Sequence, residues 1–144
     1  MGAEAMHLEL SKKTDLALRA MTHLHQVGRV SPGPEIAVAI DTTISYLPQI
    51  LRPLVLADWI AATPGPGGGY RLTGRLGDLS VLNVIEAVEG ETTNDRCVLR
   101  GTPCPAQEQC ALHTSWVRAR GALLAELDST SLDAALASAP TKGE

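Results

Sequence analysis

Residues 63–69 read Thr-Pro-Gly-Pro-Gly-Gly-Gly, and no regular helix or long strand can run through them. Proline fixes φ and donates no backbone hydrogen bond, while glycine enters positive φ freely. The segment must be a sharp reversal. Short strand-like runs flank it, Trp59–Ala62 before and Tyr70–Thr73 after, so the expectation is a two-stranded hairpin with a Gly/Pro tip. No Gly-Lys-Ser/Thr follows Gly69 and no helix starts there, so these glycines are a hairpin tip and not a phosphate cradle.

The segments before the hairpin have helical spacing. From Ser11 to Val27, Leu16, Ala20, Leu24 and Val27 share one face, with Ala17 and Met21 beside them. Ser11 or Thr14 can cap the start, and Gly28 supplies the stop. Arg29–Pro34 is a breaker loop. A short helix is expected from Glu35 to about Ile40, with Pro34 in its first turn. Asp41-Thr42-Thr43 makes a turn, and a third helix runs from Ile44 or Ser45 to Leu56. Pro48 is tolerated only if that helix starts late, at Ser45, and Pro53 predicts a kink near Leu51–Leu54. Two short helices joined by a tight turn, then a hairpin, make a winged helix-turn-helix.

After the wing, Val81, Val84, Ile85 and Val88 mark another helix face, with Ser80 as cap and Gly90 as stop. A cysteine-bearing loop is expected over 91–110 and a long helix over Leu112–Leu127. The apolar positions of that helix are Leu112, Trp116, Leu123, Leu124 and Leu127, a stripe suited to a partner helix. A short helix at Ser131–Ala137 and a frayed tail from Ala139 complete the chain. The expected class is mostly α, divided into a winged-helix part (7–90), the cysteine loop (91–110) and a part holding the long and the last short helix (111–137).

Length and composition narrow the function. The 144 residues amount to one domain of 44% hydrophobic residues without phenylalanine, so the core must be aliphatic. No apolar run reaches the 18 residues a membrane span needs, and the first residues hold no secretory h-region. A cytoplasmic protein without membrane association is the expectation, with Met6 as a natural start and the residues before it of little structural weight. The net charge of -4 is uneven: residues 1–80 hold seven Lys/Arg against seven Asp/Glu, and 81–144 hold five against nine. Overall charge therefore does not announce nucleic-acid binding, which must rest on motif and local basic residues.

Cys97, Cys104 and Cys110 lie within fourteen residues. An odd, bunched set argues against a disulfide framework and for a metal, cluster or redox site. The pattern is Cys-x6-Cys-x5-Cys-x2-His113, without the tight Cys-x2–4-Cys knuckle usual in structural zinc sites. A wide loop stiffened by Pro103 and Pro105 better suits a larger inorganic core. Inert structural thiols, a zinc site and a metal-free dithiol switch remain alternatives. His113 sits one helical turn beyond Cys110 and can face the same side, or be simply an exposed helix-start residue. Asp15 can be no more than an acidic residue favoured at a helix N-terminus. A thiol enzyme with Cys104 or Cys110 as nucleophile and His113 as base lacks an orienting third group. No enzymatic activity and no small-molecule substrate are expected. His23 and His25 read as surface or interface residues.

Taken together, Gly65–Leu72 (GPGGGYRL), Asp78–Gly90 (DLSVLNVIEAVEG) and the three cysteines resemble the winged-helix repressors that include IscR, NsrR and RirA. Lys12–Met21 resembles the first helix of that family and Ser45–Leu54 its recognition helix, so the likeness covers residues 7–135. It implies DNA binding for the winged-helix part (7–90) and dimerisation for the last part (111–137): a homodimer that binds a double-stranded DNA operator and holds a [2Fe–2S] or [4Fe–4S] iron–sulfur cluster on Cys97, Cys104 and Cys110. It implies two candidates for the fourth ligand. His113 matches the IscR pattern and favours [2Fe–2S]. Asp15 stands where the nitric-oxide-sensing NsrR type uses a carboxylate from the partner subunit, which favours [4Fe–4S]. The cluster would sense nitric oxide, redox state or iron–sulfur status. The alternative is a regulator of the same fold gated by thiols or zinc.

Ser45, Tyr46, Gln49 and Arg52 are the expected readers on the recognition helix. Lys12, Lys13, Arg71 and Arg75 are expected on phosphates, and Thr43, Gly67, Gly68 and Tyr70 complete the DNA-contacting set. The chain departs from the family pattern at three places. The first two cysteines are one residue further apart, Pro48 stands where relatives often carry Glu or Lys, and Pro64 stands where many carry arginine. Modest affinity and a different operator are the expectation.

Overall fold

The computed structural model describes residues 8–91 and 96–137. The expected beginning of the DNA-binding part at residue 7, residues 92–95 of the cysteine loop and the tail from 139 lie outside them. The elements are α1 (Lys12–Val27), α2 (Gly33–Ile40), α3 (Leu47–Leu56), β1 (Ile60–Thr63), β2 (Gly69–Leu72), a 3-10 turn (Leu76–Asp78), α4 (Val81–Glu89), α5 (His113–Ser129) and α6 (Leu132–Ala137). This is a mostly helical winged helix-turn-helix. No described helix is long and apolar enough to cross a membrane.

The chain divides into two units. The first holds residues up to Gly74 together with Ala87–Glu89; the second holds Arg75–Glu86 and the residues from Gly90 onward. The first unit has an aliphatic core. Leu16, Ala17, Ala20, Met21 and Leu24 of α1 are buried, as are Ile36, Ala37 and Ile40 of α2, Leu47, Ile50, Leu51 and Leu54 of α3, and Ile60 of β1. The helix limits follow from the caps. Ser11 accepts from the Thr14 amide through its side chain, and Gly28 at φ 63° donates its amide to the Leu24 carbonyl.

α3 begins at Leu47, later than the expected Ser45. The side chain of Thr43 accepts from the Tyr46 amide at 3.1 Å and its carbonyl accepts from the Leu47 amide at 3.1 Å, so residues 43–46 form a closed turn ahead of the helix. Pro48 thereby falls in the first turn, where its missing N–H costs nothing. Pro53 lies inside the helix, which nonetheless runs on to Leu56.

The hairpin pairs β1 and β2 antiparallel, with Ile60 opposite Leu72 and Thr63 opposite Gly69. A β-carbon on Gly68 would fall on the Thr63 carbonyl, and one on Gly69 on the Ser31 carbonyl. The second approach exists because Ser31 bridges to β2: its amide donates to the Tyr70 carbonyl at 2.8 Å, and its carbonyl accepts from the Tyr70 amide at 2.9 Å. The breaker loop between α1 and α2 thus pairs with the two-stranded sheet through this single residue.

The second unit is sparsely packed. Its buried apolar side chains are Leu76, Val84, Ile85, Leu132 and Cys97. α4 starts with a capping box between Ser80 and Asn83. The Leu132 amide donates to the Leu79 carbonyl at 2.7 Å and the Val81 amide to the Thr130 carbonyl at 3.0 Å, which ties the start of α6 to the start of α4. α5 has no buried residue in its 17-residue length.

Candidate metal centre and nucleic-acid interface

The sulfur atoms of Cys97, Cys104 and Cys110 all lie within 4.8 Å of one another. The loop achieves this by turning back on itself. The Gly101 amide donates to the Cys97 carbonyl at 2.9 Å, the Cys97 amide to the Thr102 carbonyl at 3.0 Å, and Arg96 and Pro103 form a bridge. Gly101 takes φ 72° at the bend. The Arg96 guanidinium donates to the Gly101 carbonyl at 2.8 Å and closes the turn from outside. Cys110 arrives from the other end, one turn before α5, and its sulfur stands 3.5 Å from that of Cys97.

The three thiols are inequivalent. The Leu99 amide donates to the Cys97 sulfur at 3.4 Å, and this contact, aided by the Arg100 amide, outweighs burial and holds the Cys97 thiol down at about 7. At Cys104 the Cys110 amide favours the thiolate, but the neighbouring sulfurs and burial outweigh it and push the thiol up. Backbone amides aimed at a sulfur stabilise its anionic form, which is the form that ligates metals.

A cavity of about 460 Å³ opens on the cysteines, and His113, Trp116, Val117 and Arg120 of α5 line it. His113, Trp116 and Arg120 recur at helical spacing, so one face of α5 is turned to the sulfurs. His113 is therefore a neighbour of the triad. Asp15, the other candidate, belongs to the first unit, where Lys12 at 3.3 Å and Arg19 at 3.0 Å pair with its carboxylate. Trp116 and Arg120 were not singled out as site residues from the sequence; their i+3 and i+7 spacing from His113 was the available signal.

The expected DNA-contacting residues lie on the first unit, except Arg75, which is exposed and opens the second. Thr43, Ser45, Gln49, Arg52, Gly67 and Arg71 are exposed; Lys13, Tyr46, Gly68 and Tyr70 are half-buried. Lys13, Gln49 and Arg52 line one open groove of about 530 Å³ with Pro53, Leu56, Ala57 and Ala87. Lys12 spends its charge on Asp15. Gly68 and Tyr70 have structural work, in the hairpin tip and in the Ser31 pairing.

Two residues have roles the sequence did not reveal. Glu89 accepts from the Ser11 amide at 2.7 Å and from the Thr14 hydroxyl at 2.6 Å, placing a carboxylate at the positive end of the α1 dipole. Partial burial pushes its pKa up, but these hydrogen bonds outweigh it and the net direction is down. His23, read from the sequence as a surface or interface residue, is half-buried in the protomer. Its side chain is only 16% exposed, and its Nε2 lies 3.1 Å from the hydroxyl of buried Ser31 and 3.7 Å from Glu35.

A winged helix-turn-helix is the fold of a class of DNA-binding transcriptional regulators, and comparison with known proteins agrees. Residues 10–138 match the family model Rrf2, described as an iron-dependent transcriptional regulator, and the chain belongs to this family of transcriptional regulators. It is 33% identical over 111 residues to the HTH-type transcriptional regulator IscR of Vibrio atlanticus, covering 76% of this chain and 64% of the relative. The chain thus matches somewhat less than two thirds of that relative's length. Among solved structures it resembles CymR (YrzC), the global cysteine regulator of B. subtilis, at TM-score 0.73 and 25% identity, covering 93% of this chain and all of the other. The fold is also that of T. potens IscR, with TM-score 0.69, 23% identity and 96% of both chains covered.

Proposed function

We propose that this chain is a homodimeric, cytoplasmic transcriptional repressor that binds an operator in double-stranded DNA with an affinity set by an iron–sulfur cluster. The observation that carries the reading is the convergence of three thiols within 4.8 Å on a loop whose backbone amides favour a thiolate. The donor set fits such a group: Cys97, Cys104 and Cys110 would hold it, with His113 or Asp15 as fourth ligand, and the cavity shared with the cysteines favours His113. When bound, a cluster supplies a centre that responds to redox state, nitric oxide or iron–sulfur supply. The chain's own contribution is mechanical. α5 starts three residues after Cys110, so any change in the loop is delivered to its first turn. α5 is the proposed dimerisation helix, with Leu112 exposed at its cap and Val117 and Leu123 exposed along it. Movement there would change the spacing of two recognition helices over a palindrome.

The second reading, a regulator gated by zinc or by its thiols, is favoured by one distance. Sulfurs on one tetrahedral zinc ion lie about 3.8 Å apart, given metal–sulfur bonds of about 2.3 Å, and Cys97 and Cys110 are 3.5 Å apart. The test is DNA affinity measured without oxygen on protein as purified and after stripping by chelator and reductant, using a duplex selected from a random library. The proposal expects at least about a fivefold difference, the low end of ordinary allosteric coupling. Equal affinities would contradict it.

A further inference from the structure

Resting on the DNA-binding reading above, we infer that the edge of the recognition helix selects thymine by apolar contact, with Ile44 and Pro48 meeting 5-methyl groups in the major groove. Residues 42–51 carry no charged side chain. Within that stretch Leu47, Ile50 and Leu51 turn into the core, while Ile44 is 62% exposed and Pro48 is also exposed. The polar neighbours are partly committed: the hydroxyls of Thr43 and Ser45 stand 3.2 Å apart, and that of Thr43 also accepts from the Tyr46 amide. The outward residues from 44 to 49 therefore offer a branched aliphatic chain, the Ser45 hydroxyl, a proline ring and the Gln49 amide.

One apolar exposed side chain needs no explanation. Here one lies on the turn that leads into the helix and one on its first turn, the next exposed residues of the helix are Gln49 and Arg52, and Lys13 and Arg52 share the adjoining groove. An apolar edge rimmed by cations is complementary to a groove rimmed by phosphates. Thymine is the one base that presents a methyl group on the major-groove edge, and glutamine pairs well with the N6 and N7 of adenine. A leading edge without arginine, lysine or carboxylate has no strong partner for guanine or cytosine. The half-site core it fits is rich in A·T pairs, with thymine opposite Ile44.

The experiment selects duplexes from a random library with the full chain, then replaces thymidine by deoxyuridine one position at a time and measures affinity by fluorescence anisotropy. Deoxyuridine keeps every hydrogen bond and removes only the methyl group. The wild-type chain should bind about fourfold more weakly at one or more positions in each half-site, the effect of one buried methyl group of about 0.8 kcal/mol. Ile44→Ala should bind thymidine and deoxyuridine duplexes equally at that position, and Ile44→Val should keep most of the discrimination. Ile44 is exposed, so neither variant threatens the fold. Indifference of the wild-type chain to deoxyuridine everywhere, or full discrimination by Ile44→Ala, would overturn the inference alone. Failure to enrich any duplex would overturn the DNA-binding reading and this inference with it.

Discussion

The two units of this molecule solve the problem of stability differently. In the first, three helices and a hairpin bury thirteen apolar side chains among the described residues, and every helix presents a filled face. In the second, the longest helix of the chain buries none of its residues, and the thiols of an acidic-rich segment converge on one another. A unit with its own aliphatic core can hold its shape alone. A unit built around a sulfur triad and an uncovered helix gains order from what binds it. Under the proposed function, that contrast would suit a sensor: a stable reader joined to a part whose stability depends on a ligand and a partner copy.

The comparison breaks most visibly at the core. Leu54→Ala should destabilise the chain by about 2–5 kcal/mol, the usual cost of truncating a buried leucine, whereas Leu124→Ala on half-covered α5 should cost well under half of that in a protomer. Thermal and denaturant unfolding read both, and equal costs would erase the distinction between the units. Next in size is the proposed partner surface. Leu123 is 51% exposed, so Leu123→Glu should leave the protomer's helicity intact while weakening self-association by about 2 kcal/mol or more, the scale of an interface hot spot. Sedimentation velocity decides; an unchanged dimer places the interface elsewhere.

The smallest effect sharpens the seam in α4, whose last three residues belong with the first unit. The pKa of Glu89 is lowered in the folded chain, so its contribution to stability is present above the unfolded carboxylate value and lost as pH falls through the folded one. Glu89→Gln should cost about 1 kcal/mol at pH 7, the charge-assisted part of two hydrogen bonds discounted for exposure. It should also flatten the fall in stability as pH drops below the ordinary carboxylate range. An unchanged acid limb would show that the contact with Ser11 and Thr14 does not persist in solution.

Much of this was legible in the sequence because it is local. Ser11 and Gly28, Ser80 and Gly90 bound α1 and α4 by chemistry that acts within one turn. The run from Thr63 to Gly69 could only reverse the chain, and Pro48 fixed the late start of α3 even though the turn capped by Thr43 moved it two residues further than expected. What escaped joins residues far apart in the chain. Ser31 pairs with Tyr70, and Glu89 reaches back to Ser11 and Thr14. Neither has a periodic signal, since a single bridging residue and a single carboxylate leave no pattern. The contact of His23 with Ser31 escaped for the same reason: Ser31 is held in place by its pairing with Tyr70. At the candidate centre the three cysteines and His113 were visible from spacing, but the α5 face that adds Trp116 and Arg120 needed the loop's fold to show which side it presents.

The central claim is that the cysteine triad holds an iron–sulfur cluster, and iron and acid-labile sulfide content, measured with the visible spectrum on protein purified without oxygen, tests it most directly. Two to four irons per chain with matching sulfide, and their loss in Cys104→Ala, are the predicted result. Two with resolved [2Fe–2S] bands would favour His113 as fourth ligand, and four with a broad band bleached by nitric oxide would favour Asp15. Protein holding zinc or no metal, with neither iron nor sulfide, would contradict the claim and leave a regulator gated by its thiols or by zinc.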